Sequence, residues 1–248
     1  MGQGEKRIAL VTGANKGIGF ETSRQLAEQD VRVLMGARDA GRGEEAAAKL
    51  RAQGLEVESL QLDVTDSGDI VRVRELIETG YGRLDILVNN AGMAHRDEPL
   101  FANSAATVTP AVLRETFEVN FFGLVELTQA LLPLIRESAA GRIVNISSML
   151  GSLTLHSDPK AGLETIKPLA YDASKAAVNM FTIHLAALLA DTPVKVNSAH
   201  PGWVRTDLGG EEAPMDPVDG ARTGVALALL RDDGPTGGFF HMGEPMPW

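Results

Sequence analysis

Two residues four positions apart could transfer a proton. Tyr171 and Lys175 lie at the start of a segment with helical spacing, residues 171–190. Residues i and i+4 of a helix share one face, so the lysine ammonium can lie beside the phenol. A nearby cation stabilises phenolate and lowers the phenol pKa from about 10. The pair is therefore predicted to act as general acid in carbonyl reduction or general base in alcohol oxidation.

A glycine-rich turn near the amino end has the composition of a phosphate-binding site. It joins a short apolar segment, Ile8–Thr12, to a segment with helical spacing, residues 18–28. Glycines permit a tight turn and close approach of a pyrophosphate, and a helix N-terminus offers free N–H groups with partial positive charge. The turn therefore predicts a dinucleotide site. Its residues are Gly13, Asn15, Lys16, Gly17, Ile18 and Gly19.

Cationic residues after the second predicted strand, residues 31–35, indicate which dinucleotide binds. Arg38 follows this strand and Arg42 lies one helical turn further on. Together with Lys16 they would converge where a 2′-phosphate lies, which favours NADP(H). An acid at this position would accept hydrogen bonds from a ribose hydroxyl and favour NAD(H). Asp39 would be that acid if the strand ran longer, so the NAD(H) alternative stays open.

The elements that position these groups follow from the order of segments. Short β-branched segments alternate with longer helical ones, which indicates crossover units and a parallel sheet. Right-handed crossovers place helices on both faces, so we predict an α/β fold, a Rossmann-type doubly wound sheet of about seven strands. Ligands of such sheets bind at the carboxyl ends of the strands. Since no linker or low-complexity tract divides the chain, we expect a single domain, residues 1–248.

The predicted strands are residues 8–12, 31–35, 57–62, 84–89, 142–147 and 194–199. The predicted helices are residues 18–28, 43–53, 68–79, 110–136, 171–190 and 218–230.

Composition restricts the partners and the chemistry. A net charge of −10 argues against nucleic acid or an anionic membrane as partner, because such surfaces require clustered cations. With no cysteine, disulfides, thiolate catalysis and cysteine-bound zinc are excluded. The histidines show no metal-ligand spacing, although His95 and His156 could face a substrate. Residues 1–7 lack a signal-peptide core and no apolar run approaches about 18 uncharged residues. We expect a cytoplasmic protein that binds a small molecule and no metal.

Several motifs, in order, resemble those of the short-chain dehydrogenase/reductase family over nearly the whole chain. The glycine turn has the G-x-x-x-G-x-G spacing, and residues 145–148 match the Asn-x-Ser-Ser pattern that precedes the Tyr-x-x-x-Lys pair. Residues 12–19 and Ala37-Arg38-Asp39 are similar to the NADPH-dependent carbonyl reductase branch. The other matching motifs are Leu62-Asp63-Val64, Asn89-Asn90-Ala91-Gly92, Glu118-Val119-Asn120-Phe121 and Pro201-Gly202-Trp203-Val204-Arg205-Thr206.

The resemblance implies a role for each matched residue. Tyr171 would exchange the proton, Ser148 would orient the carbonyl oxygen, and Asn120 would join a water relay with Lys175. The cofactor would be NADP(H), with Asp63 beside the adenine and Thr206 at the nicotinamide carboxamide. Its remaining contacts would be Val64, Asn90, Ala91, Gly92, Tyr171, Lys175, Pro201, Gly202 and Val204.

The interval between Ser148 and Tyr171 is longer than is usual in the family, so residues 151–170 carry an insertion. We find no helical or strand period in it and expect a lid over the substrate. The pocket would be formed by residues 93–109, 151–170 and 208–217, with Met93, Leu153, Leu155 and Trp203 making it mainly apolar.

These observations predict NADPH-dependent reduction of a ketone, aldehyde or quinone-like carbonyl to the alcohol. Two alternatives are an NAD-linked alcohol dehydrogenase and a non-catalytic NADP(H)-sensing protein of the same fold. The complete set of Asn120, Ser148, Tyr171 and Lys175 argues against the sensor, which needs no proton donor.

Two predicted helices, residues 110–136 and 171–190, are apolar on almost every side. Such helices are buried on both faces, and one sheet covers only one face. Because the family often pairs these helices across a twofold axis, we expect a homodimer or homotetramer. If the insertion covered this face instead, the protein would be a monomer.

Overall fold

The computed structural model of the protein describes residues 6–248. The expectation that residues 1–7 lack a signal-peptide core therefore falls mostly outside the described residues. The described strands form one eight-stranded sheet in the order β3-β2-β1-β4-β5-β6-β7-β8. All neighbouring pairs are parallel except the last. The strands are β1 Ile8–Thr12, β2 Arg32–Ala37, β3 Val57–Gln61, β4 Ile86–Asn89, β5 Arg142–Ile146, β6 Lys195–Ala199, β7 Phe239–His241 and β8 Glu244–Pro245.

Helices connect the parallel strands, as predicted. Their starts are set by side chains that cap free N–H groups: Asp39, for example, accepts from the N–H of Arg42, so the second helix begins at Ala40 rather than at Gly43. The helices are α1 Gly17–Glu28, α2 Ala40–Arg51, α3 Ser67–Tyr81, α4 Pro110–Phe117, α5 Gly123–Arg136, α6 Leu153–Ser157, α7 Leu169–Leu188 and α8 Pro217–Ala228.

The sheet is covered on both faces, which confirms the doubly wound fold. Adjacent residues of a strand point to opposite faces, and Leu10 belongs to a core cluster with residues of α3 and α5. Its neighbours Ala9 and Val11 belong to a second cluster with residues of α1, α2 and α8. Strand β1 is therefore buried along its whole length, as expected of a central parallel strand.

Strands β7 and β8 were not predicted. They are short and end in the exposed pair Glu244–Pro245, which has no apolar pattern. Met242 and Gly243 join them with φ angles of 50° and 90°, the conformation of a two-residue hairpin turn. The sheet thus has eight strands, against about seven expected and six placed in the sequence.

The predicted helix Pro110–Arg136 is interrupted. A π-helical turn, Glu118–Phe122, separates α4 from α5 and carries Asn120. The whole stretch is long and apolar enough by composition to cross a membrane. In this fold, however, Leu127 and Leu131 are completely buried against the sheet.

The insertion, residues 151–170, contains more regular structure than predicted. A 3₁₀ turn, Met149–Gly151, is followed by α6, whose first turn is capped by Ser152. Both ends of the insertion are anchored. A Cβ on Gly151 would lie 2.6 Å from the backbone carbon of Lys175, so only glycine allows this approach. At the other end, the N–H of Lys167 donates to the carbonyl of Ala102.

Candidate active site

A cleft of about 230 Å³ lies at the carboxyl ends of the central strands, where the fold predicts a ligand. It brings together residues that are far apart in sequence. Among the predicted site residues, those lining it are Ile18, Asn90, Gly92, Ser148, Tyr171, Lys175, Pro201, Gly202, Val204 and Thr206. Much of the remaining wall is apolar, namely Leu100, Phe101, Met149, Leu150, Leu163, Ile166, Trp203 and Leu208.

The glycine turn between β1 and α1 has the shape of a phosphate cradle. Gly13 has a φ of 62°, which glycine adopts without strain. A Cβ on Gly19 would lie 2.5 Å from Nδ2 of Asn90, so the turn and the fourth strand meet only because Gly19 has no side chain. Lys16 precedes α1 and makes no capping bond with its side chain, which leaves the helix N-terminus open to an anion. Asn15 lies partly exposed on the same turn.

The segment after β4 holds this turn in place. The amide of Asn90 donates to the carbonyls of Thr12 and Gly13, at 2.8 and 3.2 Å. The backbone N–H groups of Asn90 and Ala91 both donate to the Thr12 hydroxyl at 2.9 Å. Asn89 lies on the buried side and bonds to Thr128 and Asn145, so its role is structural.

The predicted adenine side begins at the end of β3. The carboxylate of Asp63 accepts from the N–H and the hydroxyl of Thr65, at 3.0 and 2.7 Å. Its own N–H donates to Asp69. Val64 is buried, and its carbonyl lies where a side chain on Gly123 would be. The structure thus gives Asp63 a turn-forming role, and its contact with adenine stays a prediction.

The three predicted phosphate-binding cations have different surroundings. Lys16 forms an ion pair with Asp207, in the loop after β6. Arg38 and Arg42 are exposed, and Arg42 lies 4.0 Å from the Asp39 carboxylate. Strand β2 ends at Ala37, and Asp39 serves as the cap of α2. The alternative in which a longer strand makes Asp39 the ribose acid is therefore not supported.

Tyr171 and Lys175 lie on one buried face of α7. The Lys175 Nζ is 5.7 Å from the centre of the tyrosine ring and donates to the carbonyl of Ile146 at 2.9 Å. Burial raises the pKa of Tyr171 to about 12, against a smaller lowering by its hydrogen bond with Ser148. Burial also lowers the pKa of Lys175 to about 8. The pKa of the phenol is therefore raised, not lowered as expected: burial is the largest influence on it, and Lys175 is not among the groups that shift it.

Ser148 and Asn120 complete the predicted set in different ways. The Ser148 Oγ accepts from the N–H of Leu150 at 3.2 Å, so its own hydroxyl proton can be donated into the cleft. Asn120 is fully buried outside the cleft lining. Its amide bonds to the N–H and carbonyl of Met93 at 2.8 Å each and to the Ser174 hydroxyl at 3.0 Å. Asn120 therefore ties the loop after β4 to α7, and its water relay stays a prediction.

The N-terminus of α7 is held by two residues that the sequence analysis missed. The Glu98 carboxylate accepts from the N–H groups of Ala170 and Tyr171, at 2.9 and 3.2 Å. The Ser104 hydroxyl accepts from the N–H of Leu169 and donates to Glu98. Glu98 is 7% exposed, and it lies more than 70 positions before the helix that it caps. Residues that cap a helix are usually its neighbours in sequence, so the sequence does not indicate Glu98.

The segment after β6 forms the opposite wall of the cleft. Val204 is buried, and the Thr206 methyl is 3.1 Å from the Cβ position of Gly17. The indole N–H of Trp203 donates to the carbonyl of Gly209 at 2.7 Å, and its ring meets Phe101 edge-on at 6.1 Å. The wall therefore contacts both the glycine turn and the loop after β4.

The histidine that lines the cleft is His200, which the sequence analysis did not single out. His95 instead pairs with Glu115. His156 bonds to the carbonyl of Leu150 and lies 3.2 Å from the Asp172 carboxylate. Neither of these two is among the residues that line the cleft.

Comparisons with known proteins agree with this architecture. A family model described as short chain dehydrogenase matches residues 7–217. Carbonyl reductase (NADPH) 1 of Mus musculus is 36% identical, with 97% of this chain and 98% of the relative covered. The (+)-neomenthol dehydrogenase of Arabidopsis thaliana is 34% identical, with 97% of each covered.

Solved structures of related proteins have the same fold. The NADPH-bound carbonyl reductase from chicken fatty liver superposes with a TM-score of 0.84 at 28% identity, covering 98% of this chain and all of that one. Salutaridine reductase from Papaver somniferum has a TM-score of 0.81 at 31% identity, covering 96% of this chain and all of the other. The similarity therefore extends over nearly the whole fold.

Proposed function

Because this chain belongs to the short-chain dehydrogenase/reductase family, we propose that it reduces a ketone, aldehyde or quinone-like carbonyl to the alcohol. It is an NADP(H)-dependent oxidoreductase acting on CH–OH and C=O groups. The observation that carries the proposal is the position of Ser148, Tyr171 and Lys175 in one cleft whose other walls are largely apolar. Apolar walls favour a hydrophobic carbonyl compound and exclude water.

The residues present fit the cofactor. The open N-terminus of α1 and the close approach that Gly19 allows provide space and N–H groups for a pyrophosphate. Lys16, Arg38 and Arg42 would bind a 2′-phosphate, and the wall formed by Pro201, Gly202, Val204 and Thr206 would hold the nicotinamide. When bound, the nicotinamide supplies the hydride.

The proton comes from the Tyr171 phenol. With its pKa raised to about 12, the phenol keeps its proton at neutral pH and can act as general acid. Ser148 donates its hydroxyl proton to the substrate oxygen and orients it. The Lys175 ammonium stabilises negative charge as it develops on the phenol oxygen. Since burial lowers the pKa of Lys175 to about 8, we expect reduction to slow as pH rises through this value.

Neither alternative function gains support. An NAD-linked dehydrogenase would need an acid free to bind the ribose, and Asp39 caps α2 instead. A sensor protein has no use for a buried phenol that is hydrogen-bonded to a serine beside a buried lysine.

The proposal extends to the assembly. Phe122, Met180 and Leu188 are 51%, 56% and 65% exposed, so the insertion does not cover them. The insertion instead contributes Leu163 and Ile166 to the cleft wall, consistent with a lid. The exposed apolar side chains of Phe122, Met180 and Leu188 support a homodimer or homotetramer. Light scattering that gives the mass of one 26.4 kDa chain at micromolar concentration would exclude an oligomer. The single domain over residues 1–248 and the cytoplasmic location stay predictions.

The direct test is a screen of the purified protein with NADPH against ketones, aldehydes and quinones. We expect oxidation of NADPH at 340 nm that depends on the carbonyl compound, with the corresponding alcohol as product. Absence of turnover across all three classes, with NADPH bound, would exclude the proposed function.

A further inference from the structure

His200 is a buried histidine in a cleft whose catalytic groups are already assigned. It follows β6, is 7% exposed and lines the same cleft as Ser148 and Tyr171. Its ring lies 4.8 Å from that of His241, which bonds through Nδ1 to the His200 carbonyl. The imidazole is thus fixed in position between the cleft and the β7–β8 hairpin.

One hydrogen bond defines the tautomer of His200. The N–H of Met149 donates to the His200 Nδ1 at 3.3 Å, so Nδ1 is an acceptor. In a neutral imidazole the proton then lies on Nε2. Burial, and secondarily His241, lower the pKa of His200 to about 3, so the ring is neutral at physiological pH. It is therefore an N–H donor and not a proton source.

The ring lies over the same turn as the substrate-orienting serine. His200 accepts from the N–H of Met149, and Ser148 accepts from the N–H of Leu150, the next residue of the 3₁₀ turn. Since Ser148 and His200 also line one cleft, a substrate oriented by Ser148 shares that cleft with the His200 ring.

The Nε2–H of His200 is a donor without a protein partner among residues 6–248. Other polar side chains of the cleft are engaged: Asn90 with Thr12 and Gly13, and Trp203 with Gly209. Ser147 and Thr206 likewise donate to backbone carbonyls. The His200 Nε2 is not among the fully buried polar atoms that lack a partner, and His200 lines the cleft, so this donor is available to an acceptor on a ligand.

We propose that His200 is a specificity-determining residue whose Nε2–H binds a second hydrogen-bond acceptor next to the reacting carbonyl of the substrate. The preferred substrates would carry an oxygen on the neighbouring carbon, as α-keto esters do. This inference rests on the proposed carbonyl reduction and adds the part of the substrate that is recognised beyond the reacting group.

The test compares ethyl benzoylformate with valerophenone, a phenyl ketone whose chain has the same length but no ester oxygens. The measured quantity is the ratio of their kcat/KM values with saturating NADPH. Because both substrates meet the same protein preparation, differences in folded fraction cancel, and intrinsic reactivity cancels between wild type and variant.

Two variants separate recognition from structure. In His200→Asn, the side-chain oxygen can still accept from Met149, but the Nε2 donor is lost. In His200→Gln, the amide can place a donor where Nε2 was, while the Met149 acceptor is lost. We expect His200→Asn to lower the ratio about three- to tenfold, the value of one neutral hydrogen bond, and His200→Gln to keep it within about twofold.

Other outcomes would overturn the assignment. Equal ratios in wild type and His200→Asn would show that no second acceptor is bound. A lower ratio in His200→Gln but not in His200→Asn would make the residue structural. Weaker NADPH binding in His200→Asn, measured by nucleotide fluorescence, would assign the donor to the cofactor. A wild type that reduces neither ketone in the presence of bound NADPH would overturn the proposed function and this assignment with it.

Discussion

The two halves of the cleft are built by different means. The half that we propose binds the cofactor, the cofactor half, consists mostly of backbone from short continuous segments, such as the glycine turn and the residues after β4. The substrate half consists of side chains from three separate loops. Glu98 and Ser104 cap the helix of Tyr171 from a distance, and Leu163 reaches the cleft from the insertion.

This difference separates the residues expected to control NADPH affinity from those expected to control turnover. On the proposed assignment, nucleotide binding depends on local backbone geometry, whereas long-range contacts fix the position of the Tyr171 phenol. Changes in the substrate half should therefore alter turnover and leave NADPH affinity intact. Changes in the cofactor half should alter NADPH affinity and leave turnover at saturating NADPH intact.

The largest effect is expected for Tyr171→Phe, which removes only the phenolic oxygen. Turnover should fall about 10²- to 10⁴-fold, the usual value of general acid catalysis. NADPH affinity, measured by fluorescence titration, should stay nearly unchanged because the phenol acts in the transition state. Activity above about a tenth of wild type would contradict the assigned proton donor.

Arg38→Asp should produce the largest effect in the cofactor half. Two charge-assisted hydrogen bonds to a 2′-phosphate correspond to a preference for NADPH over NADH of about a hundredfold or more. The variant should lose or reverse this preference, with the unfolding temperature unchanged because Arg38 is exposed. Equal binding of NADH and NADPH by the wild type would refute the cation assignment.

Glu98→Ala tests whether the catalytic helix is held from the substrate half. It removes hydrogen bonds from a buried carboxylate to the N–H groups of Ala170 and Tyr171. The free energy of unfolding should fall by about 1.5–3 kcal/mol, and turnover should fall with it, at constant NADPH affinity. Glu115→Ala is the matched control, since Glu115 is 65% exposed and should cost about 0.5 kcal/mol or less. Similar losses in denaturant titrations of both variants would disprove the capping role.

The smallest effect is expected for Asp207→Asn. In this structure Asp207 pairs with Lys16, and it would compete with a bound phosphate for the same ammonium. Removing the carboxylate should tighten NADPH binding by less than about fivefold, because exposed ion pairs contribute little. The gain should shrink at high salt. Weaker NADPH binding in this variant would show that Asp207 supports the site.

The features that the sequence predicts correctly are those that depend on local information. The glycine turn, the Tyr–Lys pair and the strand ends could be placed because their chemistry depends on residues a few positions apart. Helix ends were shifted by caps such as Asp39, which moved the start of α2. Strands β7 and β8 were not predicted, because β7 has only three residues and β8 pairs through backbone atoms without an apolar pattern.

The missed site residues share one property. Glu98 and His200 acquire their roles only through tertiary contacts, the first with a helix far along the chain and the second with the turn after β5. The expected direction of the shift in the Tyr171 pKa was wrong for the same reason. A neighbouring cation is visible in the sequence, but the burial that raises the pKa of Tyr171 is not.

The two anchors of the insertion bear on how this enzyme could acquire new substrates. Gly151 is fixed against the backbone of Lys175, and Lys167 is fixed to Ala102. Between them His156 contacts Asp172, next to Tyr171, so the part of the insertion after His156 is the part that can change in length and composition while Tyr171 stays where it is. Lengthening such a loop adds only about 0.6 kcal/mol per doubling. Exchange of residues 157–166 for loops of other sizes should thus yield libraries that keep the hydride-transfer site and vary in selectivity.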